Sequence, residues 1–240
     1  MMIVVIAFMA SHPAASLETQ PSTARIVIII DDMGNSLELG QRAIALPGPI
    51  NYAFLPYSKY AATLADHAHQ QQKEILLHLP MSNLNSYATG PGTLTAAMQQ
   101  QQFLLTLQQD LASIPHIRGV NNHMGSLLTQ LQQPMDWLMQ ELKEQQLYFL
   151  DSRTTPRTVA ESRAKAHNIP HLRRDVFLDN DRRGAAIAEQ FSRLIKLAKL
   201  QGQAVAIGHP YPETLSFLEK ALPKLQQQQV QLVHASEIVR

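Results

Sequence analysis

Ile26-Val27-Ile28-Ile29-Ile30-Asp31-Asp32-Met33-Gly34 is the stretch on which the fold turns. Five consecutive β-branched residues with no polar break predict a strand buried on both faces, the habit of strands in parallel sheets. The run stops at two adjacent carboxylates, and Gly34 follows where the chain must turn. Two like charges at the mouth of a buried strand are costly unless a cation or a proton uses them. Their placement predicts an active site at the C-terminal end of a parallel strand.

Outward from this stretch, short apolar runs rich in β-branched and aromatic residues recur at residues 52–55, 75–77, 119–120, 148–150, 176–178, 204–207 and 230–233. Between them lie segments with helical spacing. One carries Phe103, Leu104, Leu107 and Leu111; a second opens at Pro134 and carries Trp137, Leu138 and Leu142. A third carries Ile187, Phe191, Leu194, Ile195 and Ala198. Strands alternating with helices predict parallel βαβ units, and seven or eight of them predict an α/β barrel, closed or nearly so. A chain of 240 residues suits one such domain.

Net charge is +1, and the only notable basic pairs are Arg173-Arg174 and Arg182-Arg183. The long basic face of a nucleic-acid binder is missing, so no nucleic-acid partner is expected. The chain has no cysteine, which excludes disulfides, thiolate ligands and cysteine nucleophiles and leaves His, Asp and Glu to hold any metal. The first ten residues are apolar and are followed by Ser11-His12-Pro13-Ala14-Ala15-Ser16. That stretch is too short to span a bilayer and matches a signal peptide over residues 1–15. A polar spacer at 16–24 and a single domain at 25–240 follow. The expectation is a periplasmic or secreted protein with no stable transmembrane span after cleavage. Three glutamine runs, at 70–72, 99–102 and 226–229, read as solvated surface.

The chemistry-bearing residues share one placement, since each directly follows an inferred strand. Asp31 and Asp32 follow the first, His78 the third, Asn121-Asn122-His123 the fourth, Asp151-Ser152-Arg153 the fifth and His209 the seventh. In a parallel barrel these ends converge on one rim. Carboxylates and imidazoles together suit zinc or a similar divalent ion in a hydrolytic site. A phosphoryl-transfer aspartate needs Asp-any-Asp, which fails at Met33, and no Gly-any-Ser-any-Gly elbow occurs. Metal-assisted hydrolysis is the leading class. Asp179-Asn180-Asp181 follows the sixth inferred strand and reads as a solvated turn, with a place on the rim as the alternative, and His12, His67, His69, His116, His167, His171 and His234 have no placement that suggests a role. The segment at 84–94, with Gly90-Pro91-Gly92, has the length of either a lid or an idle surface loop.

Ile30-Asp31-Asp32-Met33-Gly34, Leu77-His78-Leu79-Pro80-Met81, Asn121-Asn122-His123-Met124-Gly125-Ser126, Leu150-Asp151-Ser152-Arg153-Thr154 and Ile207-Gly208-His209-Pro210 together resemble the divergent polysaccharide deacetylase family. That family is related to the NodB-type carbohydrate esterases, and the resemblance spans residues 25–240. It implies a distorted (β/α) barrel of about seven strands and metal-dependent removal of acetyl groups from an acetylated polysaccharide, peptidoglycan or another envelope glycan. By the same resemblance Asp31 is the general base, Asp32 and His78 are metal ligands, and His209 is the general acid. Asp151 resembles a carboxylate that orients or tunes the site, and Arg153 pairs with it or meets substrate. The NodB-type relatives place a second histidine four residues after the first, where this chain has Ser82. His123 is the candidate replacement, with backbone N–H groups of the 121–125 loop as candidate oxyanion donors. Zinc is the expected metal. Two alternatives stay open: a catalytically silent glycan-binding or regulatory barrel, and metal-dependent hydrolysis of another ester or amide.

Overall fold

The structure, a computed structural model, describes residues 23–240. Residues 1–15, read above as a signal peptide, and most of the spacer lie outside the described residues. Nine strands form one sheet: β1 (Ala24–Met33), β2 (Asn51–Phe54), β3 (Glu74–Met81), β4 (Ile117–Met124), β5 (Tyr148–Asp151), β6 (His171–Arg173), β7 (Val176–Phe177), β8 (Gln203–Gly208) and β9 (Val230–Leu232). Seven helices connect them: α1 (Leu37–Ile44), α2 (Ala61–Gln70), α3 (Gln100–Ser113), α4 (Gln132–Glu144), α5 (Ala160–Ala166), α6 (Gly184–Gln201) and α7 (Pro212–Ala221). All eight apolar runs fall on strands. The ninth strand, β6, has a single buried apolar residue, Leu172, between His171 and Arg173, too little pattern to register as a strand.

Every pairing is parallel, in the order β6-β5-β4-β3-β2-β1-β8-β7, with β9 added to the N-terminal half of β1. The two edge strands, β6 and β7, are consecutive pieces of one stretch. Arg174 N–H donates to Asp151 O on β5, and Asp175 N–H donates to Val205 O on β8. The chain thus crosses from one edge to the other and curls the sheet into a distorted barrel.

Alternation along the strands sorts the core into two layers. Ile26, Ile28 and Ile30 pack with the helices, whereas Val27 and Ile29 pack inside the barrel with Ala53, Leu76, Leu150, Leu172, Val205 and Ile207. Ile26 through Ile30 are wholly buried, as the opening stretch requires. The lower mouth is plugged by the C-terminal segment, where Ala235 and Ile238 join the interior cluster. Ala235 N–H donates to Asn51 Oδ1 at 2.9 Å, and Glu74 Oε1 accepts from Ser236 N–H at 2.9 Å and Tyr148 Oη–H at 2.8 Å. The C-terminal rim is left as the open end. No described helix is long and apolar enough to cross a membrane.

Candidate active site

Parity from the interior residues decides which rim side chains meet. Ile29 faces inward, so Asp31 does too; Leu76 sends His78 inward, and Ile207 sends His209. Asn121 stands in register with His78, and His123 two residues on shares its face. Asp32 breaks the rule. Between Ile30 and Met33 the register of β1 against β2 shifts, and Asp32 has φ of 55°. A bulge of this kind re-aims a side chain next to active sites. Both consecutive carboxylates therefore reach one imidazole, with Asp31 Oδ2 at 3.6 Å and Asp32 Oδ1 at 3.2 Å from His78 Nε2. Gly34 makes the turn that follows: its φ is +116°, and a Cβ there would fall 1.9 Å from Ser58 Oγ.

Three donor atoms form a tight triangle. Asp32 Oδ1 lies 3.0 Å from His123 Nδ1 and 3.2 Å from His78 Nε2, and the two nitrogens are 3.1 Å apart. Ligands about 2.0 Å from a tetrahedral ion stand about 3.3 Å from one another, so the set fits a small divalent cation. Asp32 Oδ1 is buried and no N–H is directed at it, which is the condition of a ligand atom. Ser82, at the position of the relatives' second histidine, instead anchors backbone: its N–H donates to Leu94 O.

Asn121, wholly buried, ties two of these groups together. Its Nδ2 donates to Asp31 Oδ1 at 2.8 Å, so its Oδ1 must accept from His78 Nδ1–H at 2.8 Å. That bond fixes the tautomer of His78 and leaves the Nε2 lone pair facing Asp32 and His123. Burial pushes the Asp31 carboxyl above its ordinary pKa, against the attraction of His78 and His209. Burial works the same way on Asp32, but the two imidazoles overcome it and hold that carboxyl well below the usual range. His78 is raised, because Asp31 and Asp32 outweigh its burial.

Opposite this triangle stands His209, with Nε2 3.9 Å from Asp32 Oδ2. Its Nδ1–H donates to Asp179 Oδ1 at 2.9 Å, and its backbone N–H donates to Asp179 Oδ2 at 2.6 Å. Thr214 Oγ1 also donates to Asp179 Oδ2, at 2.8 Å. Burial would lower the His209 pKa, yet the bond and charge of Asp179, helped by Asp31 and Asp32, push it up to about 9. The ring is flanked by Phe177 at 6.3 Å and Tyr211 at 5.4 Å.

Four expectations are corrected. Asp151 does not tune this site: Leu150 faces inward, so Asp151 faces the helices. Its carboxylate accepts from Arg153 N–H and Thr158 Oγ1 within its own loop. Asp179 supplies the orienting carboxylate instead. The solvated turn expected at Asp179 is not observed: Asp179 is buried on the rim, the alternative reading, and the two-residue β7 before it gives too little alternation to decide between them. Within the 121–125 loop the Gly125 N–H is not free for an oxyanion, since it donates to Met81 O. Arg153 pairs its backbone, not its guanidinium, with Asp151.

The chain is 34% identical over 224 residues to the uncharacterized protein YibQ of Escherichia coli, covering 93% of this chain and 70% of that one. Among solved structures, the uncharacterized protein ATU2773 of Agrobacterium tumefaciens superposes with a TM-score of 0.87 at 24% identity, over 90% of this chain and 89% of the other. The Bc1960 peptidoglycan N-acetylglucosamine deacetylase superposes with a TM-score of 0.56 at 12% identity, over 91% and 89% of the two chains, a likeness of fold. The profile of the divergent polysaccharide deacetylases matches residues 28–239, and this chain belongs to that family.

Proposed function

We propose that this protein is a metal-dependent hydrolase that removes acetyl groups from an acetylated envelope glycan. One observation carries the reading: a single rim unites a three-atom ligand set, a buried carboxylate with raised pKa and an imidazole held protonated. Asp32, His78 and His123 would hold the ion, zinc by preference for imidazole and carboxylate donors in a compact set. A divalent ion bound there supplies Lewis acidity toward the acetyl carbonyl and lowers the pKa of water.

Asp31 is the base. Asn121 occupies its Oδ1, so Oδ2 takes the proton of the attacking water. Its raised pKa brings a carboxylate closer to neutral pH, where proton transfer is most effective. His209 is the acid: protonated at neutral pH, it gives its Nε2 proton to the departing nitrogen or oxygen of the sugar. Asp179 keeps that proton on the correct side by holding Nδ1–H. Acetate and a free amine or hydroxyl are the products. Bc1960, named for peptidoglycan N-acetylglucosamine deacetylation, supports a glycan substrate, and the signal-like residues 1–15 support a periplasmic or secreted site of action.

The test is metal content by inductively coupled plasma mass spectrometry, with Asp32→Ala and His123→Ala beside the parent, followed by acetate release from acetylated glycans. One divalent ion per chain, lost in both variants, and acetate release lost in both are expected. A protein that stays metal-free after zinc, cobalt and manganese challenge refutes the hydrolase and leaves a glycan-binding barrel.

A further inference from the structure

We propose that Arg182, carried on the ring of Tyr211, reads an anionic substituent on the glycan, a carboxylate or a phosphate, beside the acetyl group to be removed. The inference rests on the proposed function for the location of the acetyl group, but its own evidence is separate.

A cavity of about 240 Å³ opens beside the candidate site, lined by Asp32, the turn from Met33 to Ser36, His209 and Tyr211. Tyr211 forms one lip, its ring 5.4 Å from that of His209. The guanidinium of Arg182 sits over the outer part of this ring, 5.0 Å from its centroid. A cation–ring contact of this length holds the guanidinium at the lip while leaving its N–H groups free to bond.

The surroundings leave that charge unanswered. Asp181, the adjacent carboxylate, is engaged by Arg183: Nε lies 3.0 and 2.9 Å from its two oxygens, and the backbone N–H of Arg183 adds a third bond at 3.0 Å. Arg183 thereby holds Asp181 down at about 2. Asp179 is spent on His209 and Thr214. Among the described residues Arg182 makes no ion pair and no hydrogen bond, although it is exposed and two carboxylates lie within three residues of it in sequence. Neighbouring charges have been paired off, and one planar fork of donors is left against the Tyr211 ring that lines the cavity. Such a fork matches the two oxygens of a carboxylate or phosphate.

An anionic group on the glycan supplies the opposite charge that Arg182 lacks among the described residues, whereas a neutral glycan supplies none. The reader therefore distinguishes an acidic polymer, with uronate, lactyl or phosphate groups, from a neutral one.

The experiment measures binding by calorimetry at low salt. Three acetylated oligosaccharides of equal length serve as probes: one neutral, one carrying a carboxylate and one carrying a phosphate. The full chain is compared with Arg182→Ala, Arg182→Lys, and Arg118→Ala as a control for net charge at the opposite end of the barrel. An exposed, well-directed pair is worth about twofold to fivefold in affinity. The parent should bind at least one acidic probe more tightly than the neutral one by that factor, and the probe preferred names the anion. Arg182→Ala should erase the preference without weakening the neutral probe, Arg182→Lys should keep part of it, and Arg118→Ala should keep all of it. Equal binding of all three probes by the parent, binding of none, or an equal loss on all three in Arg182→Ala overturns the inference. Acetate release from neutral and acidic probes at equal kcat/KM overturns it while leaving the hydrolase standing. Anion preference without acetate release on any probe does the reverse.

Discussion

Replacing Asp179 by Asn tests the acid–base half of the site at its most sensitive point. The His209 pKa is raised from 6.5 to about 9 in the folded chain, which favours the charged imidazole by about 3 kcal/mol. Asp179 is the main favourable contributor, with Asp31 and Asp32 behind it. Asparagine preserves shape and an acceptor for Nδ1–H, but it removes the charge. It also turns a donor toward His209 N–H, which donates to Asp179 Oδ2 at 2.6 Å. A buried donor left unmet costs about 1–3 kcal/mol at any pH. The charge-dependent part has a sign that can be read. A histidine with raised folded pKa stabilises fully below its unfolded value near 6.5 and loses that stabilisation as pH rises through about 9. The stability gap between parent and variant should therefore be wider at pH 6 than at pH 9.5, by up to about 3 kcal/mol. Two measurements on metal-stripped protein decide the matter: urea unfolding at both pH values, and NMR titration of the His209 ring proton. The ring pKa should fall by more than one unit in Asp179→Asn, and acetate release should drop by about 10²–10⁴. A ring pKa that stays within half a unit of the parent value, with a pH-independent stability gap, refutes the assignment of Asp179 as the group that charges His209.

Asn121→Leu leaves His78 Nδ1–H without an acceptor and Asp31 without its donor. Zinc affinity should weaken by about 10- to 100-fold, and a competition titration that finds it unchanged removes Asn121 from the support of the ligand set. Asp110 on α3 is wholly buried with no hydrogen-bond partner at close distance, and burial, opposed only by the Tyr57 hydroxyl, pushes it up to about 7. A carboxyl raised in this way costs stability as pH climbs from about 4 to 7, so Asp110→Asn should raise Tm at pH 8 and change it little at pH 4. A lower Tm at pH 8 would show that the charged form has a use. Gly92 packs on the same carboxyl, with φ of +76° and space for a Cβ only 2.2 Å from Asp110 Oδ1. Gly92→Ala should cost about 1–3 kcal/mol by denaturant unfolding, and a neutral result would mean that the 84–94 loop is not seated on α3.

What could be read from the residues, and what could not, follows from the reach of alternation. Five β-branched residues predict β1, but all five are apolar and do not tell the inward face from the outward one; packing puts Ile29 inside, and counting in twos from it aims Asp31 into the barrel. The same counting from Leu76 and Ile207 aims His78 and His209. It sends Asp151, one residue past the inward Leu150, toward the helices, a parity that the equally apolar pair Phe149-Leu150 conceals in the sequence. Asp32 was not legible in this way. Strict alternation sends it outward, and only the bulge between Ile30 and Met33, with its left-handed residue, turns it back. The bulge has no signature in the sequence beyond Gly34 two residues on. Asp179 failed for a different reason: a two-residue strand gives alternation nothing to count, and the inward position of Phe177 emerges only from packing.

The second imidazole shows how two ring nitrogens can meet from neighbouring strands instead of from one helical turn. Two histidines four apart share one face of a helical turn, whereas residues two apart share one face of a strand. Here His78 lies within β3, so a partner four residues on would stand two alternations away along the strand, about 13 Å by the strand rise. That is too far for two nitrogens to meet at about 3 Å. The neighbouring strand solves the distance: β4 runs in register beside β3, and His123 leans back over His78 from one alternation beyond Asn121. The amide that orients the first imidazole and the imidazole that joins it are thus carried on one strand. A change in the β3–β4 register would displace both together, so the triangle of donor atoms depends on Asn121 and His123 remaining two residues apart beside His78.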